Sequence, residues 1–433
     1  MRVILINPPH PYLVQPDAQA PLGLMYLAAV VRDQGSAVEL VNLSGVAEVE
    51  ALELIPSGAD LYGFTATCVD YGLCERIAAQ LKARELSTEI VIGGPVATVS
   101  PEVVNLHVFD SFCIGEGEYV IIDMLDAIQQ LKSLDLAYKR ERVASLDALP
   151  YPARDLMDTL GENVFVRGQR YFPQGQSTVI SGSRGCPYSC AFCASKLVWH
   201  KHVTWRSPQS IADEVSYCIA EYGIREFRFG DDTLNLRSRW MEQLCDALGP
   251  LDIAWRGSVR AGLSGPHEFN LLAQAGCREI SPGIESGDQR VLDTLNKNVL
   301  VKDNRELCEW ASTAGINVRM LLMSGTPGEC ADTPEVNREW LQSVPYEAVA
   351  LKQFRPIPGS PIWITPEAFG CRILNRDLEQ YNFHLWRRGA DGTSVAADVE
   401  SVIETESLSK EALEDNIMRM REYALQTGKC NRG

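Results

Sequence analysis

The chain has 433 residues, with 57 acidic against 40 basic side chains for a net charge of −17, 45% hydrophobic and 22% charged residues. At roughly 100–200 residues per domain this length calls for two or three domains, and so ordinary a composition excludes disordered and collagen-like chains. No window approaches the roughly 20 apolar residues of a membrane span, and Met1 to Pro8 lead into a strand-like run without a cleavable signal pattern, so a cytoplasmic location is expected. The sign of the charge disfavours nucleic acid and anionic membrane as partners and favours a cationic small molecule.

In chain order, Val3 to Asn7 reads VILIN, a continuous apolar run closed by Pro8 and Pro9, as a buried parallel strand requires. Leu22 to Gln34 has helical spacing (Leu24, Leu27, Ala28, Val31) and stops at Gly35. Strand-like runs at Val38 to Leu43, Leu61 to Ala66, Glu89 to Ile92 and Ser111 to Ile114 then alternate with helices, one running to Leu81 and one starting at Tyr119. Such alternation predicts a doubly wound, Rossmann-like parallel sheet over residues 1–140, with ligand space outside the carboxyl ends of its strands. Gly93, Gly94 and Pro95 fall at one of those ends, where a tight turn or a close ligand approach would equally call for glycine.

Residues 141–176 have poor periodicity and a turn-rich LPYPA stretch, and read as a linker. From 177 to 365, strand-like runs at Thr178 to Ser183, Glu226 to Phe229, Ile253 to Ser258, Glu279 to Ile284, Ile316 to Met323 and Ala348 to Phe354 predict a six-stranded partial (β/α)6 barrel with its active face at the carboxyl ends. Residues 366–433 form a C-terminal extension whose helix near Lys410 to Leu425 is expected to cap the barrel.

Ten of the 13 cysteines are scattered, but Cys186, Cys190 and Cys193 form a CxxxCxxC loop directly after the first barrel strand. Three thiolates so close in sequence can reach three corners of one cubane and leave the fourth iron open. Zinc is the competing metal. Its structural sites want four protein ligands, and only His200 and His202 are near enough to complete one.

This loop, with Pro21 to Leu24, Tyr26 to Ala29, Gly93 to Pro95, Gly115 to Glu118, Phe229 to Thr233, Ala275 to Cys277, Gly283 to Gly287, Gly325 to Glu329 and Pro358 to Pro361, resembles the radical S-adenosylmethionine (SAM) superfamily, in the subgroup with an N-terminal cobalamin-binding-type domain. The resemblance implies a 4Fe-4S cluster on Cys186, Cys190 and Cys193, and SAM on its open iron. It implies that Phe192 lies near the adenine, that Asp231 and Asp232, following Gly230, accept from the amino group, and that Arg260, Glu285 and Ser286 hold ribose and carboxylate. Gly325 to Glu329 would let backbone approach the adenosyl part. Reductive cleavage would give methionine and a deoxyadenosyl radical that abstracts hydrogen from a substrate carbon, with an external reducing system as partner.

Two departures weigh against cobalamin as a further cofactor: the chain has no DxHxxG motif, and Val96 follows Gly93, Gly94 and Pro95 where relatives often carry histidine. With the acidic charge, this favours a resemblance to the radical SAM diol-dehydratases of aminoglycoside biosynthesis, of the apramycin-pathway type, which act on an amino sugar ahead of a reductase. A cobalamin-dependent C-methyltransferase of a secondary metabolite is the alternative, and a non-catalytic metal protein the third reading. Position suggests Glu116 and Glu118 as partners for substrate amines, or for an interdomain salt bridge. Lys352 and Arg355, at the end of the last strand, are read as donors to hydroxyls or a leaving group, and Trp199, His200 and Trp205 as cavity walls.

Overall fold

The computed structural model describes residues 1–10, 13, 15, 20–85, 87–157, 165, 169–172, 176–389 and 393–430. Parts of the predicted linker (158–164, 166–168 and 173–175) and of the C-terminal extension (390–392 and 431–433) lie outside them.

The first sheet contains β1 (Arg2–Asn7), β2 (Ala37–Asn42), β3 (Leu61–Thr65), β4 (Glu89–Gly93), β5 (Ser111–Ile114) and β6 (Ala137–Lys139), ordered β2-β1-β3-β4-β5-β6. Every pair is parallel. The VILI run of β1 is almost wholly buried because both faces are covered: Ile4 and Ile6 pack under one helical layer, Val3 and Leu5 under the other. Strand order reverses at β1, which has β2 on one side and β3 on the other, so a crevice opens at the carboxyl ends between β1 and β3.

The second sheet runs in simple chain order: β7 (Ser177–Ile180), β8 (Glu226–Phe229), β9 (Ala254–Val259), β10 (Cys277–Glu285), β11 (Asn317–Ser324) and β12 (Ala348–Gln353), again all parallel. Its outer face packs Phe227, Phe229, Trp255, Ile280, Val318, Met320 and Leu351 beneath the helices, in one apolar core. The architecture is thus α/β: a Rossmann-like domain, a six-stranded partial barrel, and a C-terminal extension with a helix.

Ala20 and Met25, at the start of helix Leu22–Asp33, pack into the core of the second domain. Arg154, fully buried, donates to Glu214 at 2.6 Å and to the Val179 carbonyl at 2.9 Å, joining the segment between the domains to helix Pro208–Tyr222. Helix Lys410–Gln426 lies against β11, β12 and helix Thr333–Gln342. It therefore flanks the edge of the barrel instead of sitting over its mouth as expected. No helix among the described residues is long and apolar enough to cross a membrane.

Candidate active site

The carboxyl ends of the two sheets face one space. A cavity of about 360 Å³ is bounded on one side by Leu5, Gly63, Gly93, Gly94, Gly115 and Gly117 of the first domain, and on the other by Ser183, Arg184, Trp199, Gly230 and Asp232 of the second. Five glycines along the first wall present backbone in place of side chains. A Cβ at Gly115 (φ +89) would meet no atom within 4 Å and would project into open space, whereas one at Gly94 (φ +86) would strike Thr65 Oγ1 at 2.6 Å. The Gly94 glycine therefore answers the turn, and the Gly115 glycine leaves room.

Opposite this wall runs the cysteine loop. All 13 cysteines are free thiols. Cys186, Cys190 and Cys193 are close enough that charge on one acts on the others, and burial raises Cys186 and lifts Cys193 to about 11. No group of three or more ligating side chains among the described residues converges on a single metal ion. Three thiolates on one short loop fit three corners of a cubane, whereas a structural zinc wants four protein ligands, and binding must displace the thiol protons. Near these thiols lie Arg260 Nη1 at 3.7 Å from Cys190 Sγ, the Ser195 N–H at 3.4 Å from Cys193 Sγ, and Thr233 Oγ1 at 3.8 Å from Cys186 Sγ.

Several residues singled out in the sequence meet in one network. Arg260 sits 3.8 Å over the Tyr188 ring and donates to the Lys297 carbonyl; Lys297 Nζ donates to Glu285 at 2.6 Å and stands 5.7 Å from the centre of the Phe192 ring. Glu285 has φ +63, a conformation a non-glycine residue adopts only when its surroundings enforce it. Phe192, Arg260 and Glu285 thereby tie the cysteine loop to the ends of β9 and β10. Tyr188, Lys297 and Ser195 were not picked out, because their roles depend on contacts across the fold and not on local pattern.

The aspartate pair divides. Asp231 is buried and accepts from the Gly182 N–H at 2.9 Å and Ser183 Oγ at 2.5 Å; burial raises it to about 6 in spite of these donors. Its oxygens brace the start of the cysteine loop. Asp232 is exposed, lines the cavity and accepts from Ser195 Oγ at 2.6 Å, so it is the acceptor that faces open space beside Gly230.

Ser286 donates to Asn337 at 3.0 Å away from that network. Glu329, fully buried, accepts from the N–H groups of Gly325 (2.7 Å) and Thr326 (3.1 Å) and from Asn416 (3.0 Å). These contacts fix the turn at Gly325, whose Cβ, were there one, would meet Ile417 of the C-terminal helix.

Glu116 and Glu118 do not face the cavity as free carboxylates. Each accepts from Arg184 at 2.7 Å, Glu116 also accepts from the Val143 N–H at 2.7 Å, and Arg184 lies over the Tyr26 ring. The pair forms the interdomain ion pair that was the competing reading. Lys352 lies 2.7 Å from His384 Nδ1, and Arg355 donates to the Phe354 carbonyl at 3.1 Å. No described contact joins either to the cysteine loop. Of the aromatic walls expected, Trp199 lines the cavity, His200 borders an adjoining recess, and Trp205 packs on Trp240.

Comparison with known proteins agrees with this layout. Residues 180–341 match the Radical SAM superfamily, and residues 17–124 match the B12 binding domain. The chain is 26% identical to an uncharacterized methyltransferase of Pyrococcus horikoshii, over 84% of this chain and 82% of that protein. It is 24% identical to cytidylyl-2-hydroxyethylphosphonate methyltransferase of Streptomyces wedmorensis, over 80% and 76%. Among solved structures, TsrM from Kitasatospora setae, a radical SAM methyltransferase with cobalamin and a [4Fe-4S] cluster bound, superposes with a TM-score of 0.68 at 18% identity, over 87% of this chain and 81% of that one.

Residues 180–341 are therefore a radical SAM domain that follows a B12-binding domain over residues 17–124, and the cofactors these domains imply are a 4Fe-4S cluster, SAM and cobalamin. The argument drawn against cobalamin from Val96 fails on geometry. Val96 is fully buried in the core of its own domain and does not line the cavity, so its identity says nothing about a ligand there. No histidine lines that cavity among the described residues, in keeping with the missing DxHxxG motif.

Proposed function

We propose that the protein is a cobalamin-dependent radical SAM C-methyltransferase. The observation that carries this reading is the cavity that the glycine edge of the first sheet shares with the residues flanking the cysteine loop, Ser183 to Gly185 before it and Val198 and Trp199 after it. A carrier seated on Gly63, Gly93, Gly94, Gly115 and Gly117 would lie across that cavity from the loop on which Cys186, Cys190 and Cys193 would hold SAM's cluster. When bound, the cluster would supply an electron to the sulfonium and cobalamin would carry a methyl group.

This chain's own residues have separable tasks. The three thiolates hold iron. Arg260, Lys297 and Glu285 fix the loop that carries them, and Asp232 offers an acceptor to an amine at the cavity edge. The Arg184 ion pairs clamp the two domains so that the space keeps its width and bulk water stays out, as radical chemistry requires.

Relatives support the same reading, because the Pyrococcus and Streptomyces proteins and TsrM are named as methyltransferases. The expected dehydration of an amino sugar gives way: it rested on net charge and on doubt about cobalamin, and the Val96 geometry together with the B12-binding-domain match over residues 17–124 weighs against that doubt. The test uses SAM labelled in its methyl group with anaerobically reconstituted protein. Label should appear on a substrate carbon with a mass gain of one methyl group; a product lighter by one water would restore the dehydratase reading.

A further inference from the structure

The inner face of the barrel carries charge where branched apolar residues usually fill such a lumen. Along each strand, the residues whose neighbours pack under the helices alternate with residues that point inward. Arg228 lies between Phe227 and Phe229, Arg256 follows Trp255, Arg319 lies between Val318 and Met320, and Lys352 follows Leu351; these neighbours are all outer-core residues. Arg228 and Arg256 are in register on adjacent strands, and Arg256 is in register with Glu279 on the next.

Glu279 is the only acid that offsets this group among the described residues. It is shared between two of the cations, at 3.6 Å from Arg256 and 3.8 Å from Arg319. The other inward acids are engaged elsewhere: Glu226 by Arg170 and the backbone of Tyr171 and Phe172, Glu285 by Lys297. Arg228 has no acceptor among the described residues, and the charge acting on it is the repulsive one of Arg319. The Nε atoms of Arg256 and Arg319 are buried without a hydrogen-bond partner. Lys352 meets His384, whose imidazole is pushed down to about 4 by burial and by Lys352.

Four cations against one carboxylate in a desolvated lumen is a costly arrangement unless something negative completes it. Arg228, Arg319 and Lys352 each keep partial solvent access. Their strands end at Phe229, Ser324 and Gln353, on the same face as the cysteine loop.

We infer that the barrel lumen binds an anion, and that the substrate enters with a carboxylate, phosphate or phosphonate group held by Arg228, Arg256, Arg319 and Lys352. The whole-chain charge of −17 pointed to a cationic substrate; the lumen has the opposite sign, and it is the local field that a bound ligand meets. Assigning the anion to the substrate rests on the proposed function. The carboxylate of SAM offers the same chemistry, so the experiment separates the two.

Inorganic phosphate and acetate are titrated calorimetrically into the full-length, iron-loaded protein, and SAM affinity is measured on the same samples. Saturable binding of phosphate or acetate is expected, weakened about tenfold or more by Arg228→Gln or Arg319→Gln, tightened by Glu279→Gln, and unmoved by the exposed control Arg372→Gln. SAM affinity should be the same in all of them. Absence of saturable binding in protein that holds iron and SAM overturns the inference and leaves the function reading standing. So does parallel loss of SAM affinity in Arg228→Gln, which would give the lumen to the cofactor's carboxylate. Anion binding in protein that never methylates would do the reverse, keeping the lumen site and removing the methyltransferase.

Discussion

The two sheets share a parallel layout and use it in opposite ways. In the first, β1 is apolar on both faces, and the ligand wall is backbone at Gly63, Gly93 and Gly115. In the second, one face of the sheet is apolar and the other carries arginine, lysine or glutamate on every strand but β7, while the loop after β7 carries the thiols. A domain that cradles a large planar ligand needs smooth walls and can spend its side chains on packing. One that grips small charged groups must place charges inside itself and bear their desolvation.

Perturbations should therefore act differently in the two halves. The largest effect is expected at the cysteine loop: Cys190→Ala should abolish cluster formation and SAM cleavage, read by iron content and electron paramagnetic resonance, because two thiolates cannot hold the cubane. The fold should survive, since Cys190 belongs to none of the apolar core clusters.

Next comes the clamp between the halves. Arg184→Gln leaves Glu118 without its cation and Glu116 with Arg142 alone, at 3.6 Å, both carboxylates being 5% exposed at the side chain. A loss of about 3–5 kcal/mol is expected for breaking a buried pair from one side, seen in urea unfolding as an earlier or split transition if the halves separate. A single unmoved transition would mean the ion pair is not what joins them.

A core deletion in the first sheet follows. Ile4→Ala removes a fully buried side chain from β1 and should cost about 2–5 kcal/mol, with iron content unchanged. Iron loss in that variant would mean the sheets are not independent.

The smallest effect is a pH dependence confined to the barrel. Burial, with repulsion from Arg319, lowers Lys352 from 10.5 to about 8. Between these values the unfolded chain binds more protons than the folded one, so the contribution of Lys352 to stability rises with pH across that window. Wild type should gain on Lys352→Met by about 2–3 kcal/mol from pH 8 to 10.5. Equal slopes would place the ammonium in water.

Much of this was legible in the sequence. Apolar runs located the twelve strands of the two sheets except β6, whose AYK is an edge strand with two exposed residues and gives no apolar signal. The three-residue strands Cys371–Ile373 and Ile403–Thr405 were equally silent. The cysteine loop was read from spacing alone. Arg184 was not, because its partners are 66 and 68 residues away and only the docking of two domains brings them together. The lumen charges were visible as residues but not as a group, since register across strands decides that Arg228, Arg256 and Glu279 are neighbours. Val96 shows the converse: a position prominent in the motif turned out to face the core.

The central claim is that one space between the sheets seats cobalamin opposite the cysteine loop. It is tested most directly by cobalamin uptake in reconstituted Gly115→Leu, with Gly35→Leu as control. Both glycines have positive φ with no atom within 4 Å of a Cβ, so the backbone strain is alike, but only Gly115 borders the cavity. The account predicts that wild type and Gly35→Leu take up cobalamin in proportion to protein, while Gly115→Leu keeps its iron and loses cobalamin. Undiminished uptake by Gly115→Leu, or none by the wild type, would contradict it.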